Sequence, residues 1–363
     1  MKIIHFHPDG RMAAQFIAPL ISAEHGAGHL SELVLSRRPL HSDCVVIPYD
    51  ILGLNLLRLP IALLKVYGLL RSRRPNIVVS HNTKSSLLPL VAAWCVGVRT
   101  RVYFNHGVPY VGYKGVLRWL LRGLERINCS LATHVVTVSA DMKTLLQDVS
   151  PSVNAQLILD GSASGIDLKT FAQGRYSRSG WRALHGLLPG DLVVVYIGRP
   201  EARKGFELVL RLWLDHFPQP NFKLVLCGPD SGDVLKRLPA IPSNVLCLGF
   251  VNNVPEVLAG SDLLILPSLH EGLSYASMEA QASGALVVAN DIIGIRCLIE
   301  DGLNGYLVPD NSLNKYVEII RRINADRSGL EIIKRQARAS VARFSRERFL
   351  PAYLSFLNGL SSK

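Results

Sequence analysis

The sequence predicts an α/β protein made of two doubly wound parallel-sheet domains that face one another across a cleft. Three observations predict it. Short β-rich runs alternate with longer helical stretches from end to end. This alternation occurs twice. A polar joint rich in Ser, Arg and Gly, Asp167–Pro189, separates the two rounds.

The elements follow in order. In the first half the β-rich runs are Lys2–His7, Glu32–Leu35, Cys44–Pro48, Ile77–Ser80, Thr100–Asn105, His134–Val138 and Ala155–Leu159. In the second they are Leu192–Ile197, Lys223–Cys227, Val245–Leu248, Leu263–Leu266, Leu286–Ala289 and Gly305–Val308. Runs such as Leu263–Leu266 are apolar without alternation, as expected of strands covered on both faces. Helical composition marks Phe206–Trp213, Tyr275–Ser283 and two basic amphipathic runs, Leu313–Phe344 and Phe349–Leu360. The expected division is 1–170, 171–345 and a terminal helix, 346–363, returning to the first domain.

Composition narrows the class. A chain of 363 residues with 48% hydrophobic content is long enough for two cores. The apolar runs Ile61–Leu70 and Leu87–Val98 are too short, and the first is broken by Lys65, to cross a membrane. The N-terminus reads as a first strand and not as a signal peptide. Six cysteines, Cys44, Cys95, Cys129, Cys227, Cys247 and Cys297, form no C-x-x-C pair. Buried reduced thiols and a cytoplasmic location are expected. The net charge is +12. Between Pro60 and Arg126, eleven basic residues face one acid, Glu125. Such a surface attracts phosphates in nucleic acid, lipid headgroups or diphosphate substrates alike.

Four motifs sit where strands end, the place at which open α/β sheets bind ligands. Glu271 falls on the loop after Leu263–Leu266, and Glu279 about one turn into the next helix. Two acceptor-only carboxylates there suit a ligand rich in hydroxyls. Taken alone, the spacing also fits chance and a solvated helix face. Gly198-Arg199…Lys204-Gly205 joins a strand to a helix. Gly198 permits a tight turn, and Arg199 and Lys204 flank a helix N-terminus, so the pair suits a diphosphate. His106, in Asn105-His106-Gly107, can hydrogen-bond a sugar hydroxyl or polarise a leaving group. His81 occupies a similar place, though a lone histidine is more often structural. Gly161-Ser162-Ala163-Ser164-Gly165-Ile166-Asp167 is a glycine-rich turn that either lines the cleft or carries the chain across.

In this order, the four motifs resemble those of retaining GT-B glycosyltransferases of family 4, the type that assembles bacterial O-antigen, capsule and exopolysaccharide. Ala259-Gly260-Ser261-Asp262 through Pro267-Ser268 and Asp301-Gly302-Leu303-Asn304-Gly305-Tyr306-Leu307-Val308 add to the likeness. It covers nearly the whole chain and is strongest from residue 190 to 310. The resemblance implies a GT-B fold, with an acceptor-binding domain followed by a nucleotide-sugar-binding domain. It implies that Gly198, Arg199 and Lys204 hold the donor diphosphate and that Glu279 binds the ribose. Glu271, with the backbone amides of Gly272, Leu273 and Ser274, would contact the donor sugar, and His106 would lie near the reacting sugar. Val251, in Gly249-Phe250-Val251-Asn252, would lie beside the base. No metal or other cofactor is expected, since the cations take that place and no D-x-D pair is present. A UDP-sugar is favoured as donor. Two departures stand out: Pro8-Asp9-Gly10-Arg11-Met12 is poorer in glycine than the family's acceptor loop, and Ser164 stands where Asn is frequent.

Lys114, Arg118, Arg122 and Arg126 recur every fourth residue, a stripe on one helix face. Val116, Leu117, Trp119, Leu120, Leu121 and Leu124 lie among them. A basic amphipathic helix with Trp suits an anionic membrane surface; the alternative is an apolar side packed on its own domain and a stripe merely solvated. The expected partners are therefore a nucleotide-sugar, a polyprenyl-diphosphate-linked sugar and the inner face of the cytoplasmic membrane. Competing readings are a GT-B sugar-nucleotide epimerase, a silent sugar-nucleotide-binding partner, and a basic nucleic-acid-binding protein. For the last, no helix-turn-helix, finger or RNA-binding aromatic motif is present, so no specific nucleic acid is expected.

Overall fold

The computed structural model describes residues 1–37, 45–51 and 56–361. They divide into two compact units, residues 1–165 with 346–363, and residues 166–345.

The first unit runs β1 (Lys2–Asp9), α1 (Gly10–Phe16), α2 (Ala18–Gly26), β2 (Leu30–Arg37), β3 (Val45–Val46), α3 (Leu59–Arg73), β4 (Ile77–His81), α4 (Thr83–Val96), β5 (Thr100–Asn105), α5 (Gly115–Leu131), β6 (His134–Thr137), α6 (Ala140–Val149) and β7 (Ala155–Gln156). Its seven strands order as β3-β2-β1-β4-β5-β6-β7, all parallel. The start of the expected Cys44–Pro48 strand, Cys44 included, lies outside the described residues. Ile4, Phe6, Val34, Tyr49, Val66, Leu70 and Val78 form the core on one sheet face. Ser139 caps α6 by accepting from the Met142 N–H at 3.3 Å, and Arg74, in the left-handed region at φ 49°, stops α3.

The second unit runs α7 (Arg178–Leu184), β8 (Leu192–Ile197), α8 (Phe206–His216), β9 (Phe222–Cys227), α9 (Ser231–Leu235), β10 (Val245–Gly249), α10 (Val254–Gly260), β11 (Leu263–Leu266), α11 (Tyr275–Ser283), β12 (Leu286–Asn290), β13 (Tyr306–Val308), α12 (Leu313–Ala325) and α13 (Leu330–Val341). Its six parallel strands order as β10-β9-β8-β11-β12-β13. In both sheets the order reverses beside the first strand, which creates a switch point at its carboxyl end. Val194, Tyr196, Leu224, Leu226, Leu263, Ile265 and Val288 bury completely beneath α8 and α12, with Trp213 and Ile320 packed over them. The chain closes with α14 (Arg346–Ser361), which belongs to the first unit. There the Tyr353 hydroxyl donates to Glu24 of α2 at 2.6 Å.

Three expectations are corrected. The joint Asp167–Pro189 is not merely polar linker: it contains α7, which buries Trp181 and Arg182. The Arg182 guanidinium donates to the Gly260 carbonyl at 2.8 Å and to the Asp262 carboxylate at 2.8 Å, tying α7 to the entrance of β11. The run Leu313–Phe344 is not one helix. Asp326 accepts from the Ser328 hydroxyl and the Gly329 N–H, both at 2.9 Å, and this local alternative to helical hydrogen bonding separates α12 from α13. The cysteines are not uniformly buried. Cys129 and Cys227 are buried, and that burial pushes both thiols up to about 12, but Cys95 is exposed. Among the described residues no helix is long and apolar enough to cross a membrane.

Candidate active site

In the second unit Gly198, Arg199 and Lys204 follow β8 and Glu271 to Ser274 follow β11, while Glu279 lies on α11 and Val251 just past β10. The Lys204 ammonium lies 2.7 Å from Glu271 Oε1, joining the two motifs in a part-buried ion pair. The backbone brings them together. Gly205 adopts φ 72°, and a Cβ there would lie 2.2 Å from the Pro267 carbonyl oxygen, so only glycine lets the loop after β8 rest on the end of β11. The Leu269 N–H then donates to the Arg203 carbonyl at 2.9 Å. On the other side Gly294 (φ 80°) presses against the Glu271 and Gly272 carbonyls, where a Cβ would come within 2.5 and 2.9 Å.

Around this pair, Gly198 donates its N–H to the Cys227 carbonyl at 3.0 Å. The buried Tyr196 hydroxyl donates to the Arg199 carbonyl at 2.8 Å and so fixes the turn that presents Arg199. Arg199 itself is exposed and pairs with Glu201 at 2.8 Å. Ser274 caps α11, accepting from the Ser277 N–H at 3.3 Å, while its own N–H donates to the Gly294 carbonyl at 3.2 Å. Leu273 and Glu279 are buried; Gly272 and Val251 are half-buried, and Phe250 is exposed. Burial lowers His270, next to Glu271, below the ordinary imidazole range.

In the first unit His106 lies just past β5 and does not stand alone. The register that sets Phe6 opposite Ser80 and His81 opposite Phe104 puts His5, His7, His81 and His106 at one end of the sheet. His106 Nε2 is 2.8 Å from His81 Nδ1. His81 Nε2 is 3.0 Å from His5 Nδ1, and His5 Nε2 is 3.0 Å from Glu24 Oε1. Phe104 stacks on both His81 and His106. Burial lowers His7 to about 4, His106 to about 3 and His81 well below its ordinary range. Burial acts to raise the Glu24 carboxyl, but the charge and hydrogen bond of His5, with Ser31 and Tyr353, outweigh it and hold the group low. Of these partners the sequence singled out only His81 and His106. Glu24, His5 and Tyr353 carried no local signal.

The glycine-rich turn is fastened within the same unit and the start of the next. Ser162 Oγ accepts from the Gly165 N–H at 2.9 Å, and Ser164 Oγ, buried, donates to the Gln15 carbonyl at 3.5 Å. Asp167 accepts from the Lys169 and Thr170 N–H groups, both at 3.1 Å.

Of the basic stripe, Arg118, Arg122 and Arg126 lie on α5 and Lys114 at its N-cap, but the face they share is not packed inward. Val116 and Trp119 are 75% and 73% exposed, and Leu117, Leu120 and Ile127 are also exposed. The helix buries Leu121, Glu125, Asn128 and Cys129 instead. Glu125 is held by the Thr83 and Tyr103 hydroxyls, the latter at 2.7 Å, so the inward face of α5 is anchored by polar groups.

The first unit, over residues 12–158, matches the family model "Glycosyl transferase 4-like domain", and the second, over 191–326, matches "Glycosyl transferases group 1". The chain is 24% identical over 291 residues to the UDP-Gal:alpha-D-GlcNAc-diphosphoundecaprenol alpha-1,3-galactosyltransferase of Escherichia coli, covering 77% of this chain and 74% of that one. It is 25% identical over 290 residues to the capsular polysaccharide biosynthesis glycosyltransferase CapM of Staphylococcus aureus, covering 77% and 75%. Among solved structures, Anabaena Alr3699/HepE in complex with UDP-glucose superposes with a TM-score of 0.82 at 19% identity, over 99% of this chain and 100% of that one, a likeness of fold. With a glycosyltransferase model matched in each of its two Rossmann-like units, the chain is a glycosyltransferase whose second unit is a group 1 domain.

Proposed function

We propose that the chain is a retaining, metal-independent transferase of family 4 that moves a hexose or N-acetylhexosamine from a UDP-sugar to a polyprenyl-diphosphate-linked glycan in the assembly of a bacterial surface polysaccharide. The observation that carries it is the Lys204–Glu271 pair at 2.7 Å, held at the ends of β8 and β11. Lys204 and Arg199 supply the cationic groups that a diphosphate leaving group requires, in place of a metal. Glu271, with the adjoining residues 272–274, takes the sugar hydroxyls, Glu279 the ribose, and Val251 lies at the base. The first unit carries His106 and is the acceptor-binding unit in this reading. The two curated relatives support the reading: one name contains both a UDP-sugar and a diphosphoundecaprenol-linked sugar, the other capsular polysaccharide.

Incubation with a panel of UDP- and GDP-sugars and a polyprenyl-diphosphate-GlcNAc acceptor, read by mass spectrometry, tests this. The expected product is the acceptor extended by one sugar from a UDP donor, with the anomeric configuration of the donor. Epimerised nucleotide-sugar formed without acceptor would replace the transferase reading with an epimerase.

The exposed face of α5 supports a peripheral site on the inner face of the cytoplasmic membrane. Trp119 and Val116 stand out from the domain beside Lys114, Arg118, Arg122 and Arg126, and each cation near an anionic leaflet contributes about 1 kcal/mol. Co-sedimentation with anionic vesicles should exceed that with neutral ones and fall severalfold in Arg118→Ala/Arg122→Ala. Equal recovery on both vesicle types would remove the membrane from the proposal.

A further inference from the structure

Tyr353, Glu24, His5, His81 and His106 form one continuous line of hydrogen-bonding atoms. Tyr353 and Glu24 Oε1 are 2.6 Å apart, and the next three links are 3.0, 3.0 and 2.8 Å. Apart from His106, which is half-buried, every member is buried. The remaining titratable neighbour, His7, is engaged elsewhere, with Nδ1 2.8 Å from the Asp9 carbonyl and Nε2 3.2 Å from the Asn82 amide. Its outlet is therefore His106 Nδ1, which has no hydrogen-bond partner among the described residues.

The proton positions along such a line are not independent. The Glu24 carboxylate only accepts, so His5 carries a proton on Nε2. If His5 Nδ1 is bare, it accepts from His81 Nε2. His81 Nδ1 is then bare and accepts from His106 Nε2, and His106 Nδ1 is left bare as an outward acceptor. If His5 is an imidazolium, its Nδ1–H reverses every link, and His106 Nδ1 carries an outward proton. We propose that Glu24, His5 and His81 are positioning residues that act as a proton relay, making the proton on His5 Nδ1 and the proton on His106 Nδ1 a single shared variable. Glu24 provides the counter-charge for the extra proton, which only His5 among the three rings can hold beside a carboxylate.

The consequence for chemistry rests on the transferase reading. A hydroxyl bound at His106 Nδ1 gives up its proton as its oxygen attacks. The O–H bond breaks and an N–H forms at His106 Nδ1. The Nε2 proton of His106 passes to His81 Nδ1, and that of His81 Nε2 to His5 Nδ1. The charge ends on His5 beside Glu24, two imidazoles away from the hydroxyl that lost it, with no heavy atom displaced.

Nitrogen-15 NMR of histidine-labelled protein across the pH range of stable folding tests the coupling without any substrate. At every pH His5 Nδ1 and His106 Nδ1 must be both bare or both protonated. One protonated while the other is bare, at any pH, overturns the relay. In His81→Phe the two rings should titrate separately, and transfer should show kcat lowered roughly tenfold with UDP affinity unchanged. A folded His81→Phe with wild-type kcat would make the line structural only. Should that variant fail to fold, the wild-type spectra still decide the coupling, and Tyr353→Phe, which removes one donor to Glu24, should raise the pH at which both nitrogens change together. An enzyme inactive with every donor would defeat the transferase reading while leaving the NMR result standing.

Discussion

The two strand-end constellations are built from opposite materials. In the second unit, formal charges meet at a half-open surface: Lys204 with Glu271, and Arg199 with Glu201. In the first, imidazoles and carboxyls are buried and satisfied by one another, from Glu24 to His106 and from Tyr103 to Glu125. Surface charge can be drawn toward a charged ligand at little cost in stability. Buried polar networks cannot be rearranged cheaply, since any member left unpaired bears its full desolvation penalty. The second unit is thus suited to a diphosphate that comes and goes, and the first to holding a few hydrogen-bonding atoms in fixed positions.

The sharpest way to break this contrast is at Glu125. Burial pushes its carboxyl up to about 7, although hydrogen bonds from Thr83, Tyr103 and Asn105 act the other way. A carboxyl raised on folding binds its proton more tightly in the folded chain. Its contribution is fully present below about 4.5, declines as pH rises, and is gone above about 7. Glu125→Gln, which keeps the shape without the charge, should therefore gain on the wild type by roughly 3 kcal/mol between pH 4.5 and pH 8. Urea unfolding at the two pH values checks it. Parallel losses in both proteins would mean that Glu125 is not a buried acid and that the first unit is less closed than it looks.

Next in size is the charged pair of the second unit. Lys204→Ala and Glu271→Gln should each lower kcat/KM ten- to hundredfold, the size expected for a charge-assisted hydrogen bond lost in the transition state. Thermal stability should hardly move, because the pair is part-exposed. If both variants kept near-native turnover, the donor site would lie elsewhere. If both instead unfolded, the pair would be structural, and the contrast between the units would disappear.

The same contrast explains what could be read in advance. Among the described residues the thirteen strands fall where apolar runs predicted them, because a parallel sheet covered on both faces leaves a nearly continuous signal. The proposed donor residues could be singled out in advance because most of them lie in two short stretches, residues 198–205 and 271–279. The histidine line was not: its members stand at positions 5, 24, 81, 106 and 353, and only the parallel register and the return of α14 unite them. Glu125 stood out in the sequence as the lone acid of a basic stretch, yet nothing local showed that it points inward while Trp119 points out. The helix α7 was hidden because polar residues flank its one buried tryptophan. The break at Asp326–Gly329 was hidden because helical periodicity continues on either side of it.

The smallest effect separates surface electrostatics from direct contact within the second unit. Glu201 lies 2.8 Å from Arg199 and 3.5 Å from Arg203, and all three are substantially exposed. An exposed pair of this kind contributes about 0–1 kcal/mol to stability. Glu201→Gln should leave the melting temperature nearly unchanged. It should also free Arg199 for the diphosphate, lowering the donor KM by roughly two- to fivefold at low salt, with the gain fading as ionic strength approaches 1 M. A KM that rises in the variant, or a gain that survives high salt, would show Glu201 touching the donor directly. In that case Arg199 would be steered by the ligand and not restrained by its neighbour, and the turn fixed by Tyr196 would be the feature that sets its position.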